Sequence, residues 1–165
     1  MTRAAPEPQL AAVIAAHRDA AQPRATFQAV DEALAACIGH RLFTILINHP
    51  SLREAERYYS NMPDAYPVGG RKPMVETPLL RQLMVDGVPY IGHSRDDIAR
   101  NFPDHELIFS LGCESVLNVP VFWNGQAVAS MNLLHESGWY GEGDVPIARL
   151  FAHLALPAIL QLNRV

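Results

Sequence analysis

Cysteine is nearly absent from this chain: Cys37 and Cys113, far apart in sequence, are the only two among 165 residues. Two thiols build no disulfide framework for a chain this size. A packed core has to hold it, and a reduced cytoplasmic setting is expected. Clustered positive charge is equally scarce. Thirteen Lys and Arg stand against seventeen Asp and Glu, a net charge of −4, and the densest basic stretch is the pair Arg71-Lys72. With no basic stripe to displace counterions, no nucleic-acid partner is expected. No apolar run approaches the ~18 residues of a bilayer span, so no membrane partner is expected either. The first ten residues, with Arg3, Pro6, Glu7 and Pro8, do not read as a signal peptide. HExxH, paired CxxC and EF-hand patterns are missing, which argues against a metal site, and "GGRK" lacks phosphate-loop spacing.

What is present is an ordinary globular composition, 49% apolar and 18% charged. One domain of this length buries roughly 70% of its unfolded surface. Residues 1–8 read as a frayed tail, followed by a helix from Gln9 to about Ala21. A second helix starts near Thr26, a plausible N-cap, and carries Phe27, Val30, Leu34, Cys37 and Ile38 at helical spacing up to Gly39. Arg41–His49 is a nearly continuous apolar run, the pattern of a buried central strand, with Glu54–Ser60 as its partner. "NMPDAYPVGGRKPMVE" reads as a loop without a regular element; loops of this length inside compact domains tend to be functional or disordered.

Thr77-Pro78 opens a short helix, and Pro89 places "GVPYIG" at a sheet edge. Two helical pieces then flank Pro103, with Asp104 as a cap. The strands Ser115–Trp123 and Gln126–Glu136 enclose Asn124-Gly125, a strong hairpin signal because both turn positions need positive φ. A last helix, capped by Asp144, carries an apolar stripe, and Pro157 should kink it. The sum is a three-layer α/β (α+β) domain: a central antiparallel sheet, terminal helices on one face, and loops with short helices on the other.

The hairpin leaves one question open. A strict two-residue turn sets Val116, Asn118, Pro120 and Phe122 opposite Leu133, Met131, Ala129 and Ala127. A bulge shifts the parity and places Asn118 beside Asn132. In either case a buried asparagine costs ~1–3 kcal/mol unless its amide is satisfied. Asn118 then either bonds a nearby backbone or faces a cavity; Asn132 reads as structural.

"LGCESVLNVPVFWNGQAVASMNLLHES", followed by a capped amphipathic helix, resembles the C-terminal half of a GAF domain. "DGVPYIG" resembles that family's middle strand and "RLFTILIN" its first. The resemblance covers roughly residues 25–162 and divides the chain into an N-terminal tail and helix, 1–24, and a GAF-like domain, 25–165. It implies a sheet of about six antiparallel strands, a ligand cavity roofed by the middle loops, and homodimerisation through terminal helices. Members of that family bind cyclic nucleotides, tetrapyrroles, haem, amino acids or aromatic effectors, usually beside an output domain, for which this chain has no room.

The expected function is therefore a stand-alone, non-catalytic receptor for a small molecule of unknown identity, with no cofactor specified. Tyr59, Tyr66, Arg71, His105, Cys113, Asn118 and Met131 are the candidate pocket residues. Asn118 would orient the ligand, Arg71 would pair with an anionic group, and the aromatics would supply contact area. An alternative follows from the family's free methionine-(R)-sulfoxide reductases, with Cys113 as nucleophile; such chemistry needs a second, resolving thiol. The third reading is a protein-interaction module with a collapsed cavity.

Overall fold

The computed structural model describes residues 3–162. Helices α1 (Pro6–Ala16) and α2 (Arg24–Cys37) lead into β1 (Leu42–His49) and β2 (Glu54–Ser60). The middle of the chain contributes β3 (Arg71–Pro73), α3 (Pro78–Met84), β4 (Tyr90–Gly92), α4 (Arg95–Asn101) and α5 (His105–Ser110). The hairpin β5 (Ser115–Trp123) and β6 (Gln126–His135), a 3-10 turn at Glu142–Asp144, α6 (Val145–Leu154) and α7 (Leu156–Leu162) complete it. The strands form one six-stranded sheet in the order β3-β2-β1-β6-β5-β4, with every neighbouring pair antiparallel. The apolar run of β1 is central, as its composition predicts, and Pro89 precedes the edge strand β4.

Strand alternation sorts the sheet into two faces. Phe43, Ile45 and Ile47 of β1 join Leu117, Val119, Val121, Ala129, Met131 and Leu133 on the face covered by α1, α2, α6 and α7. Each large side chain fully buried there is worth about 1.5–3 kcal/mol of transfer free energy. The opposite face, carrying Leu42, Val116 and Leu134, is covered by Tyr66, α4 and α5.

Several element limits differ from the sequence reading. The first helix runs from Pro6 to Ala16, because proline is accepted in a first turn, and Ala4 donates a backbone bond to Ala36 at 2.9 Å. The expected fraying therefore does not hold over residues 3–8; Met1 and Thr2 lie outside the described residues. Val13 of α1 is fully buried in the helix-face core. Thr26 lies inside α2, where its hydroxyl donates to Gln22 Oε1 at 2.7 Å. The segment 61–76 contains a regular element after all, the three-residue strand β3 paired to β2. Asp144 is buried, accepts from the Gly141 N–H at 2.9 Å and pairs with Arg3, so it braces the turn ahead of α6 without capping that helix. The last helix does bend, by 50° between α6 and α7, where Pro157 removes a backbone donor.

Tyr140 lies in the helix-side core and Trp139 packs against it. Trp139 Nε1 donates to the Ile38 carbonyl at 3.0 Å and Tyr140 donates to that of Gly39 at 3.2 Å. Gly39 has φ +94°, and a Cβ there would lie 2.9 Å from the Trp139 ring. Only glycine ends α2 in this way.

Candidate functional site

The floor of the site is a polar row crossing the loop face of the sheet. Thr44, Asn132, Asn118 and Tyr90 are successive register partners on β1, β6, β5 and β4. The hairpin takes the bulged alternative. Trp123 pairs with Gln126 and Phe122 with Ala127, but Val121 pairs with Ala129, so Val128 is the extra residue and Asn118 meets Asn132. Asn118 Nδ2 donates to Asn132 Oδ1 at 2.7 Å, and Asn132 Nδ2 donates to Thr44 Oγ1 at 3.2 Å. Farther along β1, Asn48 donates to the Ala127 carbonyl at 2.9 Å and to Met84 Sδ at 3.2 Å.

Above this floor lies a cavity of about 300 Å³, roofed by Met74, Leu80, Leu83 and Met84 and walled by Phe102 and Lys72. A smaller space of about 70 Å³ adjoins it, sharing Leu46, Lys72, Phe102, Asn118 and Asn132 and adding Arg57, Tyr66 and Asp104. The combined volume is at the lower end of the ~300–1,000 Å³ seen for small-molecule sites. The main chamber is apolar with a few convergent polar groups, and Lys72 is its one charged lining residue among those described.

Hydrogen bonding sets this region apart. Among the described residues, five buried side-chain polar atoms have no hydrogen-bond partner: His40 Nδ1, Asn48 Oδ1, Arg57 Nε, Asp104 Oδ1 and Asn118 Oδ1. Four of those five belong to residues lining the two adjoining spaces. An orphaned buried group costs about 1–3 kcal/mol, so a concentration of them in one place needs a physical reason.

No family model matches the sequence, and no curated protein matches it. Solved structures do. The GAF domain of a phosphoenolpyruvate-protein phosphotransferase from Acinetobacter superposes with a TM-score of 0.74 at 10% identity, over 96% of this chain and 94% of that one. A phycoerythrobilin-bound GAF domain from a cyanobacterial phytochrome gives 0.71 at 17% identity over 99% of both chains. The GAF domain of the phosphoenolpyruvate-protein phosphotransferase of Coxiella burnetii gives 0.69 at 15% identity over 97% of both. This chain has the GAF fold.

Within that GAF fold, the seven residues singled out from sequence separate. Asn118 and Tyr66 line the cavities. Tyr66 donates to Asp104 Oδ2 at 2.7 Å, and burial followed by that bond pushes its phenol pKa up. That bond is why Asp104 does not cap α5 through its side chain. Met131 lies on the opposite face, in the helix-side core, because the hairpin bulge sets its parity against Asn118. Tyr59 is also on the helix side. A second bulge, at Tyr58 between the pairs Ile45–Tyr59 and Leu46–Arg57, turns Tyr59 toward Phe27 and Phe43, and its hydroxyl donates to Asp31 at 2.6 Å. Arg71 is exposed and pairs with Glu54 and Glu56, whereas Lys72, the next residue in the strand, lines the cavities. His105 bonds the Phe102 carbonyl through Nδ1 and packs on Phe109, lining neither space.

Cys113 is fully buried among Leu42, Ile98, Ile108, Val116 and Leu134 and lines neither space. Desolvation pushes its thiol pKa up, with Arg41 opposing only in part. Cys37 belongs to the core on the other side of the sheet, and its thiol is also raised by burial. A nucleophilic thiolate needs the opposite environment, and a resolving thiol needs to be within reach. The residues that sequence reasoning did not select are Asn48, Arg57, Lys72 and the α3 roof. The strand period gives Lys72 once β3 is known; Arg57 depends on the β2 bulge, which leaves no sequence signal.

Proposed function

We propose that this protein is a non-catalytic receptor whose loop-face cavity holds a small organic molecule. The carrying observation is that four of the five orphaned polar atoms belong to residues lining the two adjoining spaces, Asn48 and Asn118 at the apolar chamber, Arg57 and Asp104 at its smaller annex. A bound molecule offering hydrogen-bond donors to Asn48 and Asn118 offsets their desolvation, while its apolar body covers Leu46, Leu80 and Leu83. A collapsed-cavity interaction module lacks support, because the chamber is open. Regulation through such a receptor requires that binding alter something outside the cavity, and α3 is a suitable element: only Leu83 of its seven residues is buried. Dimerisation through the terminal helices belongs to the same proposal, supported by the exposed apolar side chains Ile14 on α1 and Leu150 on α6.

Native mass spectrometry of gently purified protein, combined with thermal melts against a broad metabolite panel, tests the receptor reading. The expected result is a retained small mass, or a rise in Tm with at least one compound, that Asn118→Leu removes. Neither retention nor stabilisation by any compound would overturn it.

A further inference from the structure

The smaller space between β2, β3 and α5 differs from the main chamber in its charge. Its volume of about 70 Å³, with liquid water taking about 30 Å³ per molecule, fits one group the size of two waters. Arg57, Lys72 and Asp104 line it, and their formal charges sum to +1. Asp104 Oδ2 already accepts from Tyr66, and Lys72 Nζ stands 3.8 Å from Asp104 Oδ1. Arg57 forms no ion pair among the described residues. Its guanidinium carbon lies 4.8 Å from the Tyr66 ring centroid, its Nη1 donates to the Pro67 carbonyl at 3.1 Å, and its buried Nε–H has no acceptor. Gly70 is what lets the loop lie against this guanidinium: a Cβ there would be 2.7 Å from Arg57 Nη1.

A buried donor lacking an acceptor, beside one uncompensated positive charge, selects for a single negative charge. A monoanion brings the local sum to zero. A phosphate dianion overshoots it, and a cationic head meets two cations. Lys72 carries three N–H donors and can serve Asp104 and an incoming anion together.

We infer that this annex takes a carboxylate, so that the ligand is a small monocarboxylic acid with an apolar body and a hydrogen-bond donor for the Asn118 and Asn48 carbonyls. The inference rests on the receptor reading above and narrows it to one class of head group.

Three probes of matched body separate head charge from everything else: 4-hydroxyphenylacetate, its neutral amide, and tyramine. Calorimetric titration of the wild-type protein should give the acid about tenfold tighter binding than the amide, with the amine weakest. Arg57→Met should bring the acid down to the level of the amide and leave the amide unchanged; Arg71→Met should change neither. Asn118→Leu should weaken all three alike. Amide equal to acid, amine ahead of acid, or no binding by any of the three would overturn the carboxylate assignment. If the metabolite panel still stabilises the wild type in those cases, the carboxylate assignment falls and the receptor reading stands. The wild-type series needs no variant to fold.

Discussion

The two faces of the sheet are made by the same strands and could hardly differ more. On the helix side, Phe43, Ile45, Leu117, Val119, Met131 and Phe151 are at most 1% exposed and form one apolar core. On the loop side, the alternate residues of β1, β5 and β6 include Thr44, Asn48, Asn118, Ser130 and Asn132, all buried, beneath a chamber that the protein leaves unfilled. The lesson is a division of labour written into a two-residue period. One side supplies the free energy of folding, and the other can keep open space and unmatched polar atoms because it contributes less to that total.

The hardest test of this contrast is to delete equal bulk on each side. Leu117→Ala in the helix-side core, where the side chain is fully buried, should cost about 2–5 kcal/mol in urea denaturation, whereas Leu80→Ala in the half-buried roof should cost well under half as much. Equal losses would dissolve the distinction. Asn118→Leu should change stability by less than about 1 kcal/mol, because one orphan is exchanged for another: Asn118 Oδ1 disappears, Asn132 turns to accept from the Thr44 hydroxyl, and the Asn132 amide loses its acceptor. A loss above about 3 kcal/mol would mean that the amide row holds the fold together.

The smallest effect concerns His135 at the end of β6. Its ring stacks on Trp139 at 3.6 Å and 7°, and its Nδ1 accepts from the Glu136 N–H at 2.7 Å. Burial first, then Arg41, lowers its pKa; Glu136 opposes and His40 adds slightly. The unfolded imidazole therefore binds its proton at a higher pH than the folded one. The stability this provides is complete above the unfolded value of about 6.5 and is lost as pH falls through the lower folded value. His135→Gln should flatten the acid side of a Tm-against-pH curve over that window. An unchanged slope would remove His135 from the account.

Much of the GAF architecture was legible because its signals are local. The apolar run at 41–49, Pro89, Asn124-Gly125 and Pro157 each act within a few residues, and each did what its chemistry dictates. The site was less legible because its membership depends on parity across strands. The bulge at Tyr58 turns Tyr59 away and leaves Arg57 facing the annex; the extra Val128 sends Met131 to the core and brings Asn132 beside Asn118. A bulge is a relation between two strands, and neither strand carries it alone. Arg71 failed for a simpler reason: without β3 identified as a strand, nothing distinguished it from Lys72.

Val128 has one more consequence. The pairs inward of Val121–Ala129 are held by their own burial pattern, and the tip pairs by a tight Asn-Gly turn; Val128 is the slack between them. Removing that one residue would leave a regular hairpin with Asn118 and Asn132 still adjacent. A chain shortened there would keep the same pocket floor.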